Sequence, residues 1–324
     1  MENLTRLRKH FNKRFVVHCQ MMFSYREAAG YATATYISTI TPLIDYCGKN
    51  YPNAASITRI MVDSWLEKYG YTTNSQAAFI ACLRQYTRFI NFLGMQAFIP
   101  NEDYSISRIP YNPYIFTDSE LKTLFNSFDG YKASTSNKKY KPELVVSPIF
   151  RMMYCCGMRP SEPLQLLCRD INLDSGDIYI RESKRHKDRH IIMSEDMRKL
   201  CVGYDEKVGE RTWFFEYEGK PYETNWMTAQ FHHCWRRSGL QAHGNPRPYD
   251  ARHAFATRNL IKWIDRKLDV MVLLPFLSTY MGHSTISSTL YYVHLLPERI
   301  RKSAGIDWGQ FAAIYGKDGE PDES

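Results

Sequence analysis

The stretch that decides the fold is MGHSTISSTLYYVH, residues 281–294. His283 follows a glycine, and two adjacent tyrosines, Tyr291 and Tyr292, come eight and nine positions after it. Neighbouring positions in an α-helix differ by about 100° in direction, so only one of these phenols can face a group bound beside the histidine. The rest of the sequence must therefore indicate which tyrosine does chemistry.

A second cluster lies at residues 156–164, CGMRPSEPL, where Glu162 comes three positions after Arg159. A carboxylate one helical turn away orients the planar fork of the guanidinium, and an oriented fork is a good bidentate phosphate ligand. Most arginine–glutamate pairs are ordinary surface or helix-end pairs, so this cluster alone indicates little.

A third cluster is a predicted β-hairpin, since DIYIRES (177–183) and RHIIMS (189–194) alternate between apolar and polar residues around the turn KRHKD. Basic residues gather at its tip, which favours an anionic partner but also fits a solvated turn. Such a tip can enter a DNA groove, and one lysine there could protonate a leaving oxygen. The basic residues are Lys184, Arg185, Lys187 and Arg189.

The fourth cluster is RPYDARHAFATRNL, residues 247–260. Arg252 and His253 open an apolar helix face, so a packed helix could hold Arg252 rigidly. His253 is predicted to face the other way, as a structural histidine.

Composition limits the class of protein. The chain has 324 residues, 44% of them hydrophobic, and this length favours two domains. Its net charge of +8 favours a long polyanionic partner, although a soluble basic protein without such a partner can carry the same charge. No apolar run reaches signal-peptide or membrane-spanning length. The eight cysteines form no CxxC pair, so we expect them to be reduced and to bind no metal.

Taken in order, the four clusters resemble the tyrosine recombinase, or phage-integrase, family. That family has an arginine box near G-x-R-x-x-E, a lysine on a β-hairpin, an H-x-x-R-H segment and an L-G-H-S-x-x-x-T-x-x-Y segment. The resemblance covers most of residues 115–300. It implies a mostly α fold with a small antiparallel β-sheet, in which a helical core-binding domain precedes a mixed α/β catalytic domain of the tyrosine recombinase type.

The resemblance also implies roles for individual residues. Arg159 and Arg252 match the two catalytic arginines, and Glu162 matches the acid that supports the first of them. Lys184 matches the lysine that protonates the leaving 5′ oxygen. His283 matches a histidine that hydrogen-bonds the scissile phosphate.

The same pattern separates the two tyrosines. The family's nucleophile follows the motif histidine by nine positions and a threonine by three, and from His283 and Thr289 both spacings end at Tyr292. Tyr291 is then a neighbour that packs or contacts DNA. Arg185, Lys187 and Arg189 are expected to bind DNA.

The sequence departs from the family pattern at one site position. Tyr249 stands where H-x-x-R usually has its first histidine. A neutral tyrosine is a poorer base than histidine but can still hydrogen-bond a phosphate, so Tyr249 is a predicted site residue. The spacer from Arg252 to His283 is also longer than the resemblance leads us to expect.

The domain organisation follows from periodicity. Helical spacing of apolar residues runs from Ser24 to Gly94, and a stretch with three prolines follows it. The segment before the first helix is short, which favours the two-domain type found in mobile-element integrases and transposases. An apolar stripe near the terminus could pack on its own domain or on a neighbouring subunit. The predicted parts are an N-terminal segment (1–22), a core-binding domain (23–98), a linker (99–114), a catalytic domain (115–300), a C-terminal helix (301–316) and an acidic tail (317–324).

The resemblance implies a site-specific recombinase that cuts and rejoins double-stranded DNA through a 3′-phosphotyrosyl intermediate, without a cofactor, to excise or integrate a mobile element. We expect a homotetramer or dimer of dimers on DNA, with accessory proteins or other recombinases as possible partners. A bacterial, cytoplasmic, nucleoid-associated location is expected. The alternatives are relaxation of DNA like a type IB topoisomerase and a non-catalytic DNA-binding regulator.

Overall fold

A computed structural model of the protein describes residues 13–104, 106, 109, 111–132, 141–183 and 187–296. The chain divides into two compact units, one ending at Tyr111 and the other beginning at Asn112. This division falls inside the predicted linker, and each unit has its own buried apolar core.

The first unit is built from helices packed around the buried side chains of Trp65 and Leu83. Phe15 and Cys19 on the first helix are also buried in this core, so the helical unit begins before the predicted boundary at residue 23, and that boundary is corrected. The helices are α1 (Lys13–Ala28), α2 (Ala34–Asn50), α3 (Arg59–Tyr69) and α4 (Thr73–Phe92), followed by a 3₁₀ turn at Glu102–Tyr104.

The second unit is also mainly helical. The helix that begins at Ser161 lasts only one turn, because the backbone then pairs with a distant segment: the Phe214 N–H donates to the Leu166 carbonyl at 2.7 Å. The helices are α5 (Asp118–Asp129), α6 (Pro142–Cys156), α7 (Ser161–Leu164), α8 (Glu195–Val208), α9 (Thr224–Arg237), α10 (Asp250–Asp265), α11 (Val270–Met281) and α12 (Ser287–His294).

Two short antiparallel pairs complete the second unit and confirm the predicted fold class. Strands β1 (Asp177–Ser183) and β2 (Lys187–Ile192) form the predicted hairpin, with Asp177 opposite Ile192 and Ile180 opposite Arg189. Strands β3 (Glu216–Tyr217) and β4 (Lys220–Pro221) form the other pair. Because β2 begins at Lys187, Arg189 lies within the strand and not at the hairpin tip.

The end of α6 and the start of α10 lie very close together. Gly157 ends α6 in the left-handed conformation with φ 61°, and a Cβ atom there would lie 2.5 Å from the Phe255 ring of α10. Only glycine tolerates both the dihedral angle and the contact. This approach brings the turn that carries Arg159 beside the first turn of α10.

Several predicted features lie outside the described residues: Lys184 and Arg185, the C-terminal helix at 301–316 and the acidic tail at 317–324. None of the helices within the described ranges is both long and apolar enough to span a membrane.

Candidate active site

Three arginines from distant parts of the second unit meet at the C-terminal end of α11. One comes from the turn after α6, one from β2 and one from the first turn of α10. Each donates a hydrogen bond to a different one of three successive backbone carbonyls. The pairs are Arg189 Nε with Tyr280 O at 2.8 Å, Arg252 Nη2 with Met281 O at 2.6 Å, and Arg159 Nη2 with Gly282 O at 2.7 Å.

The local structure of α11 explains why these carbonyls accept arginines. The last carbonyls of a helix have no intrahelical partner, and the C-terminal end carries a partial negative charge that favours cations. Gly282 caps the helix with φ 67°, and its N–H donates to the carbonyl groups of Ser278 and Thr279. The chain then leaves α11, and its last carbonyls remain available to the guanidinium groups.

Glu162 joins two of the arginines. Its carboxylate accepts hydrogen bonds from Arg159 Nη1 at 2.9 Å and from Arg189 Nη1 and Nη2, each at 2.7 Å. Burial by itself would raise the pKa of Glu162, but the hydrogen bonds and charge of Arg189, together with the other arginines, outweigh it and lower the pKa to about 2. Glu162 is therefore ionised throughout the neutral range.

Arg252 is wholly buried, with no side-chain exposure. Its Nη1 donates to the Gly157 carbonyl, and its Nη2 lies 3.1 Å from His283 Nε2. Among the described residues no carboxylate forms an ion pair with Arg252. The site thus gathers three guanidinium groups at one helix end, two of which share the carboxylate of Glu162. This positive charge suits a bound anion.

The contacts of His283 fix its tautomer. A guanidinium can only donate, so Nε2 of His283 accepts from Arg252 and its proton is on Nδ1, which lies 2.7 Å from Thr289 Oγ1. Burial, with the charge of Arg252, lowers the pKa of His283 to about 3. His283 is therefore neutral at physiological pH, and Thr289 positions its ring.

The two tyrosines of α12 differ in their surroundings. Tyr292 is only 2% exposed, and its ring stacks on His283 with 5.8 Å between centroids, whereas Tyr291 is partly exposed. Burial raises the pKa of the Tyr292 phenol to about 12, against the opposing effect of the Arg252 charge. Tyr292 is thus the tyrosine that lies against His283 and Arg252.

His253 was predicted to face away from the site, and that prediction is wrong. Its buried ring lies 4.9 Å from the Tyr249 ring and 5.5 Å from the Tyr292 ring, between centroids. Neither ring nitrogen has a hydrogen-bond partner among the described residues. The spacing in the sequence could have indicated this position: His253 comes four residues after Tyr249, and positions four apart share one face of a helix.

The structure brings Arg159, Glu162, Arg252, His283 and Tyr292 together, with Tyr249 and Tyr291 around His253. The prediction that Arg189 binds DNA at a hairpin tip is wrong: its side chain is 7% exposed and pairs with Glu162 and Tyr280. Lys187 lies in β2, but its side chain, like all of Lys184 and Arg185, is outside the described part of the chain.

Acidification below about pH 6.5 is expected to destabilise the second unit. Burial and the Arg252 charge lower the pKa of both His253 and His283 from 6.5 to about 3. Below pH 6.5 the unfolded chain binds a proton at each histidine that the folded protein does not, so stability falls as the pH falls. Between about pH 6 and pH 5, each histidine should remove about 1 kcal/mol of unfolding free energy.

Urea unfolding at pH 7, 6 and 5 measures this slope. His253→Asn should remove the contribution of that ring, about 1 kcal/mol of unfolding free energy between pH 6 and pH 5. His190→Asn, at an exposed position of β2, is the control for replacing a histidine outside the buried site. Equal slopes for wild type and His253→Asn would show that the buried ring is not held neutral.

Comparison with known proteins gives a consistent result. The model of the phage integrase family matches residues 115–299. A Sinorhizobium fredii protein named as an integrase/recombinase, y4rE, is 25% identical over 276 residues, which cover 83% of this chain and 87% of that protein. Tyrosine recombinase XerA of Thermococcus kodakarensis is 26% identical over 253 residues, which cover 78% and 80% of the two chains.

Solved structures agree in fold. The structure of a lambda integrase fragment, a dimer bound to a COC′ core site, superposes with a TM-score of 0.60 at 15% identity and covers 83% of this chain and 95% of that one. At that identity the likeness establishes the fold alone.

Proposed function

Since the chain belongs to the phage integrase family, the tyrosine recombinases, we propose that it recombines DNA at specific sites through a 3′-phosphotyrosyl intermediate. The observation that carries the proposal is the surplus of buried positive charge beside Tyr292. Three guanidinium groups and one carboxylate form a site for a phosphodiester, and a phenol stacked on a neutral histidine lies against it.

The arginines would supply the main catalytic effect. A phenol with a raised pKa is a poor nucleophile at neutral pH, and a phosphodiester anion repels an attacking oxygen. Arg159 and Arg252 would neutralise the non-bridging oxygens and stabilise the charge that grows on them in the transition state. Because backbone carbonyls and Glu162 already hold the guanidinium groups, their orientation relative to one another is set before the phosphate binds.

The covalent step is a transesterification. The Tyr292 oxygen attacks phosphorus, and the bond from phosphorus to the 5′ oxygen breaks. The phenol proton passes to water, while Lys184 protonates the departing oxygen. A 3′-phosphotyrosyl link and a free 5′ hydroxyl result. Attack by a 5′ hydroxyl from another strand reverses the step, and no other energy source is needed since the ester bond is conserved.

The chain's partner would be double-stranded DNA, bound as a homotetramer or dimer of dimers to excise or integrate a mobile element. Lys184, Arg185 and Lys187 would contact the DNA around the cleaved phosphate. Tyr292 is only 2% exposed, so DNA binding must displace part of its surroundings before a phosphate can reach its hydroxyl.

A covalent trapping experiment tests the proposal. The protein is incubated with nicked duplexes from the ends of its own element, so that the cleaved strand loses its short 5′-hydroxyl fragment and cannot be rejoined. A denaturation-resistant adduct on the 3′ side, with a free 5′ hydroxyl on the fragment, is the expected product. Bound DNA without an adduct would favour a regulator, and relaxation of supercoiled plasmid lacking those ends would favour topoisomerase activity.

Lys184→Ala is expected to slow cleavage by about 10²- to 10⁴-fold, because it removes the proton donor for the leaving oxygen. Replacing the bridging 5′ oxygen by sulfur should restore most of the rate, since a thiolate leaves without a proton. Single-turnover cleavage of the oxygen and sulfur substrates measures both effects. Arg185→Ala is the matched control, because it removes a neighbouring positive charge but not the proposed proton donor. If sulfur does not relieve the defect of Lys184→Ala, Lys184 is assigned to DNA binding.

A further inference from the structure

The geometry points to Arg189 as a positioning residue for the cleavage reaction. It holds Glu162, and through Glu162 it holds Arg159, while it ties strand β2 to the end of α11. The inference rests on the proposed function in one respect: Arg189 positions Arg159, the arginine proposed to bind the scissile phosphate. Arg189 itself is not placed on the substrate.

The contacts of Glu162 form a closed arrangement. Oε1 accepts from Arg159 Nη1 and from Arg189 Nη1, while Oε2 accepts from the Arg159 backbone N–H at 2.7 Å and from Arg189 Nη2. Arg189 thus meets the carboxylate with two parallel bonds, which fix the plane of the carboxylate as well as its position. Without that fork, Glu162 could rotate, and the guanidinium of Arg159 would lose its fixed direction.

Burial makes this arrangement sensitive to the loss of one member. The side chains of Arg189 and Glu162 are 7% and 6% exposed, and that of Arg159 is 14% exposed. In such a site an unpaired charge is costly, so the remaining groups rearrange when a partner is removed. Lysine at position 189 keeps the charge but cannot form the planar fork.

Arg189 also connects two parts of the site. It pairs across the hairpin with Ile180 and lies two residues after Lys187, on the strand that leads back from the hairpin tip. Its Nε is held by the Tyr280 carbonyl of α11. The hairpin that carries Lys184 is therefore anchored to the carboxylate and the helix end that hold Arg159.

The position of Gly282 supports a tight fit around Arg189. A Cβ atom on Gly282 would lie 3.1 Å from Cδ and from Nη1 of Arg189, and the φ of 67° is itself unfavourable for other residues. The guanidinium is therefore packed against the backbone that also accepts from Arg159, and its place is defined by steric contact as well as by charge.

The test compares Arg189→Lys with Arg181→Lys. Arg181 lies on the other strand of the same hairpin and also forms a forked pair with a carboxylate, that of Asp170. About half of its side chain is exposed, and its ion pair is with Asp170 and not with Glu162. Single-turnover cleavage by Arg189→Lys is expected to fall by about 10- to 100-fold, as for a misplaced catalytic group. DNA affinity should change by less than about threefold, and Arg181→Lys should cleave at the wild-type rate.

A second readout separates positioning from a merely structural effect. In a substrate whose scissile phosphate carries a methyl group in place of one non-bridging oxygen, there is no anionic charge for Arg159 to neutralise. On this substrate the cleavage rates of wild type and Arg189→Lys should differ by less than about threefold. A general loss of folded structure would slow both substrates equally. Assays are run well below the melting temperature of each variant.

If Arg189→Lys cleaves at the same rate as the wild-type protein, the inference is overturned and the proposed function stays intact. The same holds if Arg189→Lys slows cleavage of the anionic and the methylated substrate by the same factor. Failure of the wild-type protein to form an adduct would instead remove the proposed function. If Arg189→Lys does not fold, Glu162→Gln takes its place, since it keeps the shape of the side chain and removes the charge that Arg189 holds. The same rates and the same narrowing are expected.

Discussion

Replacing Tyr292 by phenylalanine is expected to abolish the covalent protein–DNA adduct and leave DNA binding within about threefold of wild type. The change removes one oxygen, and with it the nucleophile, while the ring keeps its stacking on His283. The side chain is 2% exposed, and phenylalanine fills the same space in the core, so the fold should tolerate the loss. Trapping on nicked duplexes, beside a mobility-shift measurement of affinity, tests the expectation.

Tyr291→Phe is the matched control, because it removes the same atom one position earlier on α12. Its ring lies 6.1 Å from that of Tyr292 and is partly exposed. It should form the adduct at a rate within about threefold of wild type. An adduct retained by Tyr292→Phe and lost by Tyr291→Phe would reverse the assignment and require α12 to turn when DNA binds.

Arg252→Gln is expected to reduce the rate of cleavage by about 10³-fold or more. The glutamine amide can still donate to a backbone carbonyl, but it carries no charge for the non-bridging oxygens. Arg252 is also the hydrogen-bond donor to His283, so the histidine loses its fixed orientation. DNA affinity should change by less than about tenfold, since one phosphate contact among many is lost.

Arg258→Gln provides the comparison on the same helix. Arg258 is 45% exposed and pairs with Asp118 at 2.6 Å, away from the contacts around Glu162 and His283. Its cleavage rate should match wild type. A loss of less than about tenfold for Arg252→Gln, measured on folded protein, would show that the buried guanidinium does not carry the phosphate charge.

The composition of the site was largely predictable from the sequence. Glu162 comes three residues after Arg159, so a single turn brings them together wherever the chain folds. The spacing from His283 and Thr289 indicated Tyr292, and those two residues do contact each other at 2.7 Å. Such predictions succeed because they depend on separations of a few residues within one turn or helix.

The errors concern side-chain direction. Arg189 was grouped with the basic residues of the hairpin tip, but β2 begins at Lys187 and the strand carries Arg189 into the interior. His253 was expected to face away, but the crossing of α10 and α12 places it beside Tyr292. Neither outcome can be read from a local pattern, since charge in a sequence does not show which partner lies opposite.

The sequence by itself determined the family, the mostly helical fold with its hairpin, and the residue types of the site, because these depend on periodicity and short spacings. Only the tertiary structure decided that three arginines separated by up to 93 positions share the end of one helix. The physical reason is that a helix end offers unpaired carbonyls, and these accept whichever donors the packing of α6, β2 and α10 brings to them.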